Sequence, residues 1–201
     1  MKNIFLLACV LVACFLCGCD TCKVARVEHG RIHFTDHTTN GIAHWNEEGW
    51  THFFFVRHAE RLDEPADGLT DAGKARAKRL GEMMKDADLN LVFTTRTIRT
   101  RSTADSVRVR YNNIPAPTPE YPNEDLAETA WLQQQLHDNR GKHIFVVGHS
   151  DTVLRMIRKL VRADNPLRPT EGQQLEGFGN FLVVASPTET LGSSEFRWLK
   201  Y

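Results

Sequence analysis

The sequence predicts an α/β protein, a three-layer α/β/α sandwich with a mostly parallel central sheet. Three observations carry this expectation. The runs THFFFV (51–56), LNLVFT (89–94) and KHIFVVG (142–148) are apolar without the strict alternation of a half-exposed strand, so they read as strands buried on both faces. Each is followed by a segment with helical spacing of its apolar residues. Strand and helix in repeated alternation build a sheet covered on both sides. With 201 residues the chain supports one domain with a core of its own. Lys plus Arg and Asp plus Glu each number 25, so no net field favours nucleic acid, and any anion specificity must be local.

The elements follow in order. MKNIFLLACVLVACFLCGCD starts with Lys2, runs through an apolar stretch to Cys17 and reaches small Gly18 before Cys19, the pattern of a signal peptide over residues 1–18. LCGC resembles the bacterial lipobox, which implies lipidation at Cys19, with Cys14 of LVAC as the alternative. The protein is then expected in the cell envelope, held at the membrane by an N-terminal lipid, or else secreted or periplasmic. All five cysteines lie within the first 22 residues, so the rest of the chain can build neither a disulfide scaffold nor a Cys-ligated metal site. Residues 19–50 read as a tether and a hairpin, and residues 51–201 as the main domain. Within it, Thr70 is placed to cap a helix over 69–87 whose apolar face is Ala72, Ala75, Leu80, Met83 and Met84. A second helix is expected over 96–109. The stretch 111–124 holds four prolines and reads as a long surface loop. Helices over 126–137 and 150–161, with strands in FGNFLVVA (178–185) and EFRWLK (195–200), complete the domain.

In such sheets ligands bind beyond the carboxyl ends of the strands. There FFFVRHAER runs straight from core residues into Arg57 and His58. Neighbouring strand residues point to opposite faces, so both can serve one site only if the strand stops near Val56. KHIFVVG likewise runs into His149 and Ser150, the latter an expected N-cap, and a helix amino terminus favours an anion. FTTRTIRT places Arg99 in the first turn of its helix. Two imidazoles and two guanidiniums thus converge on one rim.

VRHAE, LTDAGKARA, TTRTIRTRSTA and VVGHSDT, in that order, resemble the four signature blocks of the histidine phosphatase superfamily, the phosphoglycerate mutase-like fold, across roughly residues 52–160. The resemblance implies a nucleophile at His58, with Arg57, Arg99 and His149 holding the phosphoryl group and neither metal nor other cofactor. Thr95, Thr103 and Ala104 match the rest of the second block, where a proline more often stands at Arg96. A carboxylate proton donor is also implied after the second helix. Glu120, Glu124, Asp125 and Glu128 are candidates there, Glu60 and Asp151 lie closer in sequence to the core residues, and the choice stays open.

The residue types suit the chemistry. A neutral imidazole attacks a phosphate dianion without the repulsion that hydroxide meets. Guanidinium forks bind phosphate oxygens bidentately, and fixed positive charge stabilises the transition state of phosphoryl transfer. The expected function is a phosphomonoester hydrolase with a phosphohistidine intermediate, acting on a phosphorylated small molecule or envelope component. A non-catalytic phosphate-binding envelope module and a phosphoglycerate-type mutase are the alternatives. The loop 111–124 and the polar N-terminal segment are expected to roof the site. Arg96, Arg101, Arg108 and Arg110 read as solvated helix arginines. His29, His33 and His37 share four-residue spacing, but Gly30, Thr38 and Thr39 argue against a helix there, and so against a metal site.

Overall fold

The computed structural model describes residues 22–109, 114, 120–122, 124–188 and 190–201. The expectations for the signal peptide, Cys14 and Cys19, and most of the proline-rich stretch, lie outside these residues. The described chain opens with β1 (Val24–Glu28), β2 (Arg31–Phe34) and β3 (Thr39–Gly41), an antiparallel three-stranded sheet. Then come β4 (Trp50–Arg57), α1 (Asp71–Met84), β5 (Leu91–Thr94), α2 (Ile98–Arg108), α3 (Asp125–Asp138), β6 (His143–Gly148), α4 (Thr152–Leu160), β7 (Asn180–Pro187) and β8 (Glu195–Lys200). The larger sheet has the order β5-β6-β4-β7-β8.

This sheet is mixed, which corrects the expectation of a mostly parallel one. β5, β6 and β4 pair in parallel, whereas β4 with β7 and β7 with β8 pair antiparallel. The reason lies after α4: the chain crosses back to the carboxyl-end rim before entering β7, so Phe181 at its start pairs with Val56 at the end of β4. Antiparallel entry therefore delivers the residues before β7 onto the rim where ligands bind.

The three layers follow from the pleat. Phe54 and Val56 pack with Leu80 and Met84 of α1 and Val107 of α2. Phe53 and Phe55 point the other way, onto Leu132 and Leu136 of α3 and Ile157 of α4. All three phenylalanines are fully buried, and each contributes about 1.5–3 kcal/mol relative to exposure. Thr70 caps α1 as expected, accepting from Gly73 N–H at 3.0 Å. The buried face of α1, however, runs through Gly73, Ala77, Leu80, Gly81, Met83 and Met84, while Ala72 and Ala75 are exposed. A Cβ at position 73 would lie 2.1 Å from the Glu60 carbonyl oxygen, so the helix presses its bare glycine, not an alanine, against the end of β4.

The N-terminal sheet does not roof the carboxyl-end rim. His29 N–H donates to Asp86 O at 3.0 Å, its ring bonds Asp88, and Trp45 stacks on His143 with centroids 3.6 Å apart. Asp86 and Asp88 precede β5, and His143 opens β6, so these contacts lie at the amino ends of the strands.

Candidate active site

At the carboxyl ends the structure brings His58, His149, Arg57 and Arg99 together. β4 extends one residue beyond the expected stop: Arg57 pairs with Gly148, and His58 N–H still donates to Gly148 O at 2.9 Å. The two side chains nonetheless share Phe178 as a neighbour: Arg57 Cζ lies 4.4 Å from its ring centroid, and that ring lies 5.8 Å from the ring of His58. Gly148 has room for no side chain, since a Cβ there would lie 2.3 Å from Tyr121 Oη.

Each imidazole has a defined polarity. His58 is buried, and its Nδ1 lies 2.8 Å from the carbonyl oxygen of Ala59, which can only accept. Nδ1 therefore carries the hydrogen and Nε2 the lone pair. Burial, followed by the Ala59 bond that opposes it and by the charges of His149, Arg99 and Arg57, lowers the His58 pKa to about 4. The ring is thus neutral at physiological pH. His149 stands edge-on to it with centroids 5.5 Å apart. Its Nε2 lies 2.9 Å from Thr95 Oγ1, which is 3.0 Å from Thr100 Oγ1, and Thr100 donates to the carbonyls of Thr95 and Thr97. Read back from those carbonyls, the chain of hydroxyls makes His149 Nε2–H a donor and leaves Nδ1 with the lone pair. Burial and then Arg99 hold the pKa of His149 below the ordinary histidine value.

The guanidiniums are held in a shared manner. Nη1 of Arg57 donates to Leu175 O and Gly177 O, each at 3.4 Å. Nη1 of Arg99 donates to Asp67 Oδ1, and Asp67 Oδ2 accepts from Ile98 N–H at 3.0 Å at the start of α2. Among the described residues the Nε of both arginines is buried without a partner. Each is therefore anchored through Nη1, with its Nε buried and unpaired. Arg57 also makes no ion pair among the described residues, and burial, then the charges of Arg61 and Arg99, push its pKa down. The charge of Asp151 opposes this. Thr103 locks this corner, its Oγ1 accepting from Ala59 N–H at 3.0 Å and donating to Arg99 O at 2.8 Å.

No protein-family model and no curated protein sequence matches the chain. Solved structures do. The chain resembles the protein histidine phosphatase SixA complexed with tungstate, at 18% identity and TM-score 0.55, over 74% of this chain and 96% of that one. It is similar to mycobacterial glucosyl-3-phosphoglycerate phosphatase in complex with VO3, at 11% identity and TM-score 0.56, over 75% of this chain and 99% of that one. Phosphoglycerate mutase from Bacillus anthracis aligns at 12% identity and TM-score 0.56, over 76% and 93% of the two chains. The fold is the histidine phosphatase, phosphoglycerate mutase-like fold.

Within this fold most of the expected carboxylates are committed elsewhere. Glu60 is bound by Arg76 at 2.6–2.9 Å, and that pairing holds its pKa below the usual range. Glu120 is clasped by Arg101 and Arg96, both of which stay solvent-exposed as expected. Arg108 is buried against Asp105 and Ile114, contrary to expectation; Arg110 lies outside the described residues. Asp125 binds Lys159 at 2.6 Å, and fully buried Glu128 binds Arg155 at 2.6 Å. Glu124 begins α3 on the surface. Asp151 is held least tightly of the paired ones, 3.7 Å from Arg155, and its charge reaches both His149 and Arg57. Ser150 is not a helix cap: its Oγ donates to Gln174, and Thr152 Oγ1 accepts from His149 N–H instead.

Two site residues escaped the sequence reading. Asp67 sits in DEPADG with no periodicity to mark it. Phe178 did carry a signal, an aromatic between Gly177 and Gly179 just before an apolar run.

Proposed function

We propose that the protein is a phosphomonoester hydrolase working through a phosphohistidine at His58. The observation that supports this best is the pairing of a lone pair on His58 Nε2 with two anchored guanidiniums whose Nε donors are unsatisfied. In the first step Nε2 attacks phosphorus, the P–O bond to the alcohol breaks, and the departing oxygen takes a proton, a task we assign to Asp151. Water then gives a proton back to Asp151 and attacks phosphorus, the P–Nε2 bond breaks, and the imidazole is restored as inorganic phosphate leaves. Arg57 and Arg99 hold the equatorial oxygens through both steps. The dianion favours a proton on His149 Nδ1, turning it into a third cationic donor. Two structures of the same fold are complexes with tungstate or VO3, oxyanions of the class proposed here.

The decisive experiment is trapping. Brief reaction with a ³²P-labelled phosphomonoester should give an acid-labile, base-stable label that is absent from His58→Ala, with inorganic phosphate released and the rate unmoved by EDTA. Phosphate binding without label would assign the non-catalytic binding module instead. Transfer of label back to a second substrate hydroxyl would assign a mutase.

We also propose that the protein is exported and held at the membrane by a lipid on Cys19. Among the described residues no helix is long and apolar enough to cross a membrane. Globomycin should cause precursor accumulation, and Cys19→Ala should remove acyl label.

A further inference from the structure

The loop that delivers Phe178 also walls a cleft of about 600 Å³, lined by Gln173, Gln174, Glu176, Asn180, Trp198 and Lys200. That volume is ordinary for a small-molecule site. The cleft adjoins the active site in two ways. Gln174 accepts from Ser150 at 3.3 Å, next to His149, while the neighbouring carbonyls of Leu175 and Gly177 anchor Arg57. Register gives the second link: Val56 pairs with Phe181, so Asn180 lies beside Arg57, and Lys200 pairs with Asn180 one strand further out. Two strand spacings put Lys200, on the far side of the cleft, about 10 Å from Arg57 across the sheet.

Its lining is polar around a single aromatic. Trp198 Nε1–H and Lys200 Nζ both donate to Asn180 Oδ1, at 3.0 and 2.6 Å, and Asn180 Nδ2 donates to Glu176 O at 2.7 Å. The indole is thereby fixed in place with its N–H used, leaving its half-buried ring as an apolar plate. Around it stand two glutamine amides, a carboxylate and an ammonium, a mixture of donors and acceptors suited to hydroxyl groups. A nucleobase would call for an apolar slot on both faces; the cleft offers one aromatic.

Resting on the hydrolase reading above, we propose that the alcohol part of the substrate is a sugar ring, seated on Trp198 with hydroxyls bonded to Gln173, Gln174 and Glu176. The test compares hexose 6-phosphates with cyclohexylmethyl phosphate, which keeps the ring and the leaving CH₂–O but has no hydroxyls. The best of the glucose, mannose and galactose esters should exceed cyclohexylmethyl phosphate in kcat/KM by about tenfold or more. That ratio should fall toward one in Trp198→Ala and in Gln174→Ala, the second variant lying in an exposed loop that leaves the strands intact. A ratio near one in the unmodified protein, a ratio kept by both variants, or a larger preference for nucleoside 5′-monophosphates would overturn the proposal. Failure to hydrolyse p-nitrophenyl phosphate would sink the hydrolase reading instead. The cleft is then judged by calorimetry: a hexose 6-phosphate must bind about tenfold tighter than inorganic phosphate, with the excess lost in Gln174→Ala.

Discussion

The parallel pair β4 and β6 carries two histidines at each end, and the two pairs are nearly the same in geometry. At the amino end the rings of His52 and His143 lie 5.3 Å apart at 72°; at the carboxyl end those of His58 and His149 lie 5.5 Å apart at 67°. Both pairs use backbone carbonyls: His52 bonds Ala43 O at 2.9 Å, His143 bonds Asp88 O at 3.0 Å, and His58 bonds Ala59 O at 2.8 Å. Burial lowers the pKa of His52 and of His58 alike to about 4. Paired, neutral, edge-on imidazoles are thus what a buried strand end produces on either side of this sheet. What differs is the company. Trp45 packs over the amino-end pair, and the charged or titratable side chains felt there are Asp88, Lys142 and His44. The carboxyl-end pair faces two arginines with unsatisfied Nε donors. A depressed histidine pKa alone does not mark a nucleophile; the proposal for His58 rests on the unpaired arginine Nε groups beside it.

Breaking the comparison at its strongest point, His58→Ala should lower phosphatase turnover by about a thousandfold or more, as removal of a nucleophile does. His143→Ala at the other end should keep turnover within a few-fold while lowering Tm. Equal losses in assays of both variants would mean that the two ends do not divide as described. Removing the donors comes next: Arg57→Ala or Arg99→Ala should each reduce kcat/KM by about a hundredfold and weaken vanadate inhibition in parallel. Smaller again is Asp67→Asn, which loosens Arg99 without touching substrate and should reduce kcat/KM on the order of tenfold with the pH profile unmoved. Tighter phosphate binding in that variant would show that Asp67 competes for Arg99 instead of positioning it.

The smallest effect concerns stability and separates the pairs least. His52 and His58 have folded pKa values below the ordinary 6.5, so their neutral forms favour the fold. That stability is whole above pH 6.5 and drains away as pH falls from about 6.5 to about 4. His52→Phe, which cannot titrate, should make denaturant-derived stability fall less steeply across that window.

Much of the rim was legible because strand ends are marked by abrupt change: VV into GHS and FFFV into RHAE each go from apolar core to charge within one residue. Thr70 as a cap and Arg99 in the first turn of α2 follow from local hydrogen bonding, which the sequence carries directly. Asp67 was not legible, since its meaning depends on Arg99, 32 residues away, and no period links them. On α1, Leu80, Met83 and Met84 were read correctly but Ala72 and Ala75 were not, because the close approach to the Glu60 carbonyl turns Gly73 to the sheet and Ala72 and Ala75 away from it.

By itself, then, the sequence determined the alternation of elements, the burial of three phenylalanines and the placing of His58, His149 and Arg57 at strand ends and of Arg99 in the first turn of a helix, because each depends on neighbours a few residues apart. Only the tertiary structure decided that β7 enters antiparallel, bringing Phe178 over Arg57, and that Asp67 anchors Arg99. It alone committed Glu60, Glu120, Asp125 and Glu128 to cations. These depend on which distant segments share a rim, and strand pairing, not local propensity, sets that.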